Sequence, residues 1–298
     1  MSVVSSVVTP PLSLTARAMA VVALAGLFFA GPTALALADS LTLADPLASL
    51  PSAQDPEMTD GVNLLMPGVF HGQEVEAKSG ERWWGLFETQ DNDTSGKKQY
   101  ELRQVAIEVD VVHDPLVDTE PGQNSGKRVR VNEARQPIFL VQGDFFKPGP
   151  VNTVFEGVQF LYPGQQLAFS INEKPYFITS TGAVDSPSPE EGIHLRDYSL
   201  MLVDRTLAQE PDPHDGIPPH VQPLLSSNEL DVFDGDRPSV YWVGDLDRDG
   251  LPDALLDQSN DDDVNMMTLF MSHSSSATAT QWLLPVGTFK AVGCPSKL

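Results

Sequence analysis

Residues 239–256 have the sequence SVYWVGDLDRDGLPDALL. Two short apolar runs, at 241–243 and 254–256, flank an acidic turn that contains Gly and Pro. Apolar runs of this length, bounded by Gly, Pro and Asp, are typical of β-strands rather than helices. The segment is therefore predicted to form a strand–loop–strand unit in the C-terminal part of a mostly β protein.

The turn in this segment carries acids in the pattern D-x-D-x-D-G-x-x-D. Calcium takes about six to eight oxygen ligands, and alternating carboxylates converge on one ion only where the chain curls around it. Gly250 has no Cβ, so it permits the sharp turn that this curling requires. The alternative is an acidic, solvated hairpin without a metal. The predicted calcium ligands are Asp245, Asp247, Asp249, the backbone carbonyl of Leu251, and Asp253.

The loop is not an EF-hand. An EF-hand has Glu at its twelfth position and a helix on each side, whereas Leu256 occupies that position here and the flanks are strand-like. Residues 244–257 (GDLDRDGLPDALLD) instead resemble the calcium loop of FG-GAP/VCBS-type repeats, which occur in integrin β-propellers and exported bacterial proteins. Residues 241–294 are similar to the C-terminal end of uncharacterised exported bacterial proteins with one such loop. The resemblance implies calcium binding, and a single loop does not imply a propeller.

Upstream of the loop, residues 61–205 contain short apolar runs separated by Pro and Gly. Such punctuation is typical of sandwich- or barrel-like antiparallel sheets. Residues 206–238 contain six prolines among many acids, so they are predicted to be a connector with a short helix near 223–230. The strands are predicted at 83–87, 105–112, 137–141, 158–162, 166–171, 176–179, 198–203, 239–243, 254–256, 268–272, 281–284 and 289–292.

The N-terminal 38 residues have the features of a secretory signal peptide. Arg17 precedes an apolar run at 18–30, a Gly-Pro pair breaks the run, and Ala36-Leu37-Ala38 supplies a small-residue cleavage pattern. The run is shorter than the roughly 20 residues of a membrane span, although an uncleaved N-terminal anchor is an alternative. We therefore expect export to the periplasm or the extracellular space, with no integral membrane span after cleavage.

The chain is predicted to divide into a signal peptide (1–38), a flexible linker (39–60), a β domain (61–205), a Pro-rich acidic connector (206–238) and a C-terminal β unit with the calcium loop (239–298).

The charge of the chain restricts its partners. Asp and Glu number 41 against 18 Lys and Arg, which gives a formal net charge of −23. A strongly negative surface repels phosphate backbones and anionic membranes, so nucleic acid is not an expected partner, whereas Ca²⁺ is. Cys294 is the single cysteine, so no intramolecular disulfide can form. The fold must therefore be stabilised by its core or by a metal.

Two other acidic segments are weaker candidates for metal binding. Asp91, Asp93 and Ser95 begin a D-x-D-x-S-G pattern, but two lysines follow and a hairpin turn is favoured. The run at 261–263 (Asp261, Asp262, Asp263) could hold a second ion, with a solvated turn as the favoured alternative.

No motif identifies a catalytic residue. The chain lacks H-E-x-x-H, G-x-S-x-G and a Gly-rich phosphate loop. The sequence favours a non-catalytic, calcium-stabilised protein with a structural or binding role, which takes an extracellular protein or glycan as its possible partner. One alternative is a secreted hydrolase whose calcium loop only supports the fold. Another is a glycan- or matrix-binding surface module that uses Trp83 and Trp84, although aromatic residues in strands usually belong to the core.

Overall fold

The computed structural model describes residues 61–89, 96–185, 193–205, 221–232, 237–259, 264–272 and 283–292. Within these ranges the chain forms strands and no helix, which confirms the prediction of a mostly β fold with sandwich- or barrel-like antiparallel sheets. No helix of these residues is long and apolar enough to cross a membrane. The predicted signal peptide, the linker and the acidic segments at 91–95 and 261–263 lie outside the described residues.

The strands are β1 (Asn63–Leu65), β2 (Gly68–Phe70), β3 (Arg82–Glu88), β4 (Tyr100–Val112), β5 (Gly126–Val131), β6 (Phe139–Gln142), β7 (Gly149–Gln159), β8 (Gln166–Ile171), β9 (Lys174–Asp185), β10 (Ile193–Asp204), β11 (Val221–Val232), β12 (Ser239–Asp245), β13 (Asp253–Asp257), β14 (Val264–Ser272) and β15 (Leu283–Val292).

The larger sheet has 11 strands and curls into a nearly closed barrel. Its main path runs β1-β6-β3-β4-β7-β12-β13-β14-β15, and β5 joins β2 to β4 at the side. The last strand returns to the first, because a Cβ added at Gly287 in β15 would lie 2.9 Å from the carbonyl oxygen of Val62. Only glycine fits such a close approach of two backbones. The C-terminal strands therefore continue the sheet that residues 61–205 begin.

The smaller sheet has four strands in the order β11-β10-β9-β8 and packs against β12, β13 and β14 of the larger sheet. The hydroxyl of the buried Tyr198 donates a hydrogen bond of 2.9 Å to the carbonyl oxygen of Leu161, so its polar end is satisfied inside this layer. The residues that form the layer between the sheets include Ile171, Tyr176, Tyr198, Leu202, Val240, Val243, Leu256 and Phe270.

Strand β12 is buried on both faces, which explains why its sequence is a continuous apolar run. Trp242 faces the interior of the barrel, where its ring meets Phe139 edge-on at a centroid distance of 5.5 Å. Val240 and Val243 belong to the layer between the sheets. Strands covered on both sides have no need for an alternating polar face. The acidic turn that follows β12 is consequently anchored at one of the most buried places in the fold.

The segment at 206–238 differs from the prediction. Residues 221–232 form β11, so the expectation of a short helix near 223–230 is wrong. β11 is an edge strand, and the register of its pairing with β10 shifts where Met201 faces Pro223. Proline cannot donate a hydrogen bond to a ladder, and it is tolerated at such edges and bulges. Pro223 therefore lies at an irregular position of an edge strand rather than in a helix.

Several strand boundaries also differ from the prediction. The run predicted at 158–162 is mostly outside a strand, because β7 covers Gly149–Gln159. The described part of the run predicted at 281–284 and the run predicted at 289–292 belong to one strand, β15. Strand β5 has the sequence GKRVRV, in which charged residues alternate with buried valines, and it was not predicted. So short an alternation does not identify a strand from the sequence alone. Pairing with β2 and β4 defines β5 as a strand in the structure.

Candidate metal centre

The acidic loop joins two neighbouring antiparallel strands. Asp245 ends β12, Asp253 begins β13, and Asp253 is the register partner of Gly244. The pairing therefore brings the first and last aspartates of the loop close together, although eight positions separate them in the sequence. Gly244 is required at this point, because a Cβ would lie 2.8 Å from the carbonyl oxygen of Asn152 in β7 and 2.4 Å from the ring of Trp242.

Three carboxylates of the loop converge. Asp245, Asp247 and Asp253 each offer one oxygen atom, and these atoms all lie within 4.8 Å of one another. Calcium–oxygen distances are roughly 2.3–2.6 Å, so two oxygens bound to one ion lie no more than about 5 Å apart. The separation of the three oxygens therefore fits a single shared cation. Asp245 and Asp253 are buried, with exposures of 6% and 0%, and Asp247 is partly buried.

One oxygen of this group lacks a hydrogen-bond partner. Oδ2 of Asp245 accepts a hydrogen bond of 3.1 Å from the backbone N–H of Gly250. Oδ1 of the same carboxylate is buried and has no hydrogen-bond partner. An unsatisfied buried polar atom is costly and requires an explanation, such as an ion. A cation among the three carboxylates would satisfy this atom.

The local electrostatics favour a cation. Burial raises the pKa of Asp253 well above its ordinary value, and the nearby Asp247 raises it further. Burial and the neighbouring Asp249 also raise the pKa values of Asp245 and Asp247. Arg248 does not neutralise the group, because its guanidinium donates hydrogen bonds of 3.1 and 2.7 Å to the carbonyl oxygens of Pro148 and Lys147. The carboxylates therefore face one another, and proximity disfavours their charged forms.

Asp253 is held rigidly by the backbone around it. Its Oδ2 accepts a hydrogen bond of 2.7 Å from the N–H of Leu246, and its Oδ1 accepts one of 2.9 Å from the N–H of Ser272 in β14. The carboxylate thus connects the start of the loop to a third strand. A ligand that is oriented in this way loses little conformational freedom when it binds a metal.

Asp249 does not belong to the group formed by Asp245, Asp247 and Asp253. The carboxylate of Asp249 accepts a hydrogen bond of 2.8 Å from the N–H of Leu251, and the hydroxyl of Ser272 lies 3.2 Å from each of its oxygens. Asp249 is therefore close to the three converging carboxylates but is not one of them. The carbonyl of Leu251 stays a predicted ligand.

The curled conformation of the loop depends on contacts with both sheets. Arg248 and Gly250 have φ angles of 67° and 89°. Asn172, in the turn between β8 and β9, donates a hydrogen bond of 3.3 Å from Nδ2 to the carbonyl oxygen of Gly250. A Cβ at Gly250 would approach this Nδ2 to 2.6 Å, so the glycine is required by its φ angle and by its neighbour. Sequence reasoning missed Asn172 and Ser272, because nothing near them in sequence indicates the loop.

Comparisons of the chain with family models, with curated proteins and with solved structures gave no match. The resemblance to FG-GAP/VCBS-type loops therefore rests on the residues of the loop alone.

Two other surfaces bear on the alternative functions. An open groove of about 520 Å³ is lined by acids and arginines, and there Arg103 forms ion pairs of 2.8 Å with both Glu101 and Glu133. Glycosidases use two carboxyl groups as acid and base or nucleophile, whereas these two carboxylates are ion-paired with Arg103. Trp83 is buried at 5% exposure, and Trp84 is partly buried against the same core. These tryptophans form part of the core rather than an exposed aromatic platform.

Proposed function

We propose that the loop at 245–253 binds Ca²⁺, and that the ion fixes the β12–β13 hairpin within the barrel of an exported protein with a structural or binding role. The observation that carries the proposal is the buried Oδ1 of Asp245, which lacks a hydrogen-bond partner and belongs to a group of three converging carboxylates. The predicted signal peptide supports export, and the partner of the protein would be an extracellular protein or glycan.

The chemistry of the converging side chains favours calcium over other common metals. Every side chain in the group is a carboxylate, and neither His nor Cys belongs to it. Zinc and copper sites usually contain nitrogen or sulfur ligands, whereas hard cations prefer oxygen. Magnesium requires a nearly ideal octahedral shell and gives up its water reluctantly. An irregular loop that combines side-chain and backbone oxygens therefore suits calcium better.

The proposed role of the ion is stabilisation. A cation would convert the mutual repulsion of the buried carboxylates into attraction. Because the loop connects β12, β13 and β14 through Asp253 and Ser272, its order affects three adjacent strands of the barrel. A ligand that binds only the folded state stabilises it by about 2.7 kcal/mol at a free concentration of 100 Kd. Calcium sites of extracellular modules have Kd values of roughly 10⁻⁴ to 10⁻³ M, so the site would respond to millimolar calcium.

Isothermal titration calorimetry tests the proposal directly. The mature chain, titrated with CaCl₂ after removal of metal by EDTA and dialysis, is expected to bind one equivalent of calcium at this loop. Asp245→Asn should lower the affinity by more than about tenfold, because it removes a charged ligand. Asp144→Asn is the matched control, since Asp144 is an exposed aspartate outside the loop. Absence of binding to the wild type, or equal affinity of the wild type and Asp245→Asn, would show that the loop is not the site.

A further inference from the structure

The barrel closes where β1 and β2 meet β15, and we call this place the seam. The rings of Phe70 in β2 and Phe289 in β15 pack edge-on at a centroid distance of 4.8 Å. The backbone N–H of Val292, at the end of β15, donates its hydrogen bond to Oε1 of Glu74. A side chain thus supplies the acceptor that a neighbouring strand would normally provide. At the end of β15, the seam therefore depends on the carboxylate of Glu74.

His71 lies at the centre of these seam contacts. Its Nδ1 is paired with Oδ2 of Asp114. Its own backbone N–H donates a hydrogen bond of 2.9 Å to Oε2 of Glu74. The side chains of His71 and Asp114 have exposures of only 13% and 3%. His71 and Glu74 together therefore connect the segment after β2, the residues after β4 and the end of β15.

The burial of the pair places a requirement on its protonation state. The side chain of Asp114 is almost fully buried beside the ring. An imidazolium supplies a charge opposite to that of the carboxylate, whereas a neutral imidazole does not. Loss of the ring's proton therefore leaves a buried carboxylate without its counter-charge, which is costly.

The surrounding charged groups fit this arrangement. Asp118 accepts hydrogen bonds of 2.7 and 2.9 Å from the N–H groups of Asp114 and Ser125, and the exposed His113 lies 3.6 Å from it. Lys127 of β5 is directed to the carbonyl oxygen of Val75 at 2.6 Å. The acids around the ring therefore favour its charged form, and Lys127 is held by a backbone carbonyl.

The pKa directions agree with the geometry. The hydrogen bond that the ring donates to Asp114 raises the pKa of His71, burial opposes this effect, and the charges of Asp114 and Glu74 raise the pKa further. Burial alone would raise the pKa of Asp114, but its hydrogen bonds with His71 and the N–H of Leu116 lower it below its ordinary value. The pair therefore prefers to be an imidazolium and a carboxylate.

We propose that the His71–Asp114 pair is a pH-sensitive switch that keeps the seam closed while the imidazole carries both protons and loosens it when one proton is lost. The stabilisation from His71 is fully present below the ordinary histidine value of about 6.5 and is lost as the pH rises through the higher value in the folded protein. The contribution of Asp114 is present above about pH 3.9 and disappears as the pH falls through its lowered folded value. The seam is therefore most stable in mildly acidic solution and weakens in alkaline solution.

NMR and hydrogen exchange on the mature chain test this switch, at saturating calcium so that the metal loop stays constant. The ring signals of His71 are expected to titrate with a midpoint above about 6.5, the ordinary histidine value. The protection factor of the Val292 amide, corrected for the intrinsic pH dependence of exchange, should fall several-fold between about pH 6 and pH 8.5. The amide of Val243 in β12, three strands from β15 in the sheet order, serves as the internal control and should keep its protection.

Two variants separate the switch from a general pH effect. His71→Gln retains a donor but cannot titrate, so the protection of Val292 should become independent of pH over this range. His113→Gln removes the neighbouring exposed histidine and should behave like the wild type. The proposal is overturned if His71 titrates at or below the ordinary value. It is equally overturned if Val292 loses protection to the same extent in His71→Gln. The titration of the wild type decides the matter even if a variant does not fold.

Discussion

The calcium dependence of thermal stability is the most discriminating prediction for this protein, and Asp247→Ala is its sharpest perturbation. The oxygens of Asp245, Asp247 and Asp253 lie within 4.8 Å of one another. At that separation two unit charges repel by roughly 3 kcal/mol at an effective dielectric constant of about 20. This figure is an upper bound, because partial protonation and solvent reduce the repulsion around the partly exposed Asp247.

The substitution should act in opposite directions with and without metal. In EDTA, removal of one carboxylate relieves repulsion, so Asp247→Ala should be at least as stable as the wild type. In calcium, the wild type should gain about 2.7 kcal/mol at 100 Kd, whereas the variant should gain little. A change of 1 kcal/mol shifts the Tm by about 2–4 °C for a chain of this size class, so the wild-type Tm should rise by roughly 5–10 °C. Magnesium should produce a smaller rise.

The assay is thermal unfolding of the mature chain in EDTA, in CaCl₂ at about 100 times the Kd for calcium, and in MgCl₂ at the same concentration. The buried Trp242 provides an intrinsic fluorescence signal for the transition. Asp262→Ala is the control, because it removes a nearby acid in the sequence without altering the D-x-D-x-D-G-x-x-D pattern. The reasoning is refuted if calcium leaves the wild-type Tm unchanged, or if it raises the Tm of Asp247→Ala by the same amount.

Three further predictions concern pH, packing and processing. Because burial raises the pKa of Asp253, the calcium-free protein should gain stability as the pH falls through that raised value, while its calcium affinity should decline. A Tm and a calcium affinity that both stay constant across this pH range would contradict the prediction. Gly244→Ala should lower the free energy of unfolding by about 1–3 kcal/mol, since its Cβ would clash with the backbone at Asn152; an unchanged chemical denaturation midpoint would argue against the clash. Processing should occur after Ala38, so N-terminal sequencing of exported protein should begin at Asp39, and recovery of an intact N-terminus from membranes would exclude cleavage.

Strands were predictable where a run of apolar or β-branched residues was long enough to be recognised alone. The run at 166–171 coincides with β8, and the runs at 83–87 and 239–243 lie within β3 and β12. Prediction failed where neighbours determine the structure. β5 consists largely of charged and small residues, and β11 contains a proline, so each depends on hydrogen bonds with adjacent strands. Local propensity is too weak to identify such strands.

The candidate metal site divides in the same way. The spacing of its acids and the glycine at its sixth position are local properties, so the sequence alone identified the loop. The tertiary structure decided which carboxylates converge. Asp249 is the predicted carboxylate ligand outside the converging group, and the hydroxyl of Ser272 in β14 lies 3.2 Å both from its carboxylate and from that of Asp253. Ser272 follows Asp249 by 23 positions, and only the antiparallel arrangement of β13 and β14 brings them together.

The sequence by itself determined the all-β character of the described chain and the chemistry of its most acidic turn, because short-range spacing and residue type suffice for both. The tertiary structure alone decided that the barrel nearly closes, that β12 is buried on both faces, that His71 pairs with Asp114, and that Glu74 binds the backbone of Val292 at the seam. Glu74 and Val292 are separated by 218 positions in the sequence. Contacts of this kind depend on the order and register of the strands, and these are set by the packing of the whole sheet rather than by any local pattern.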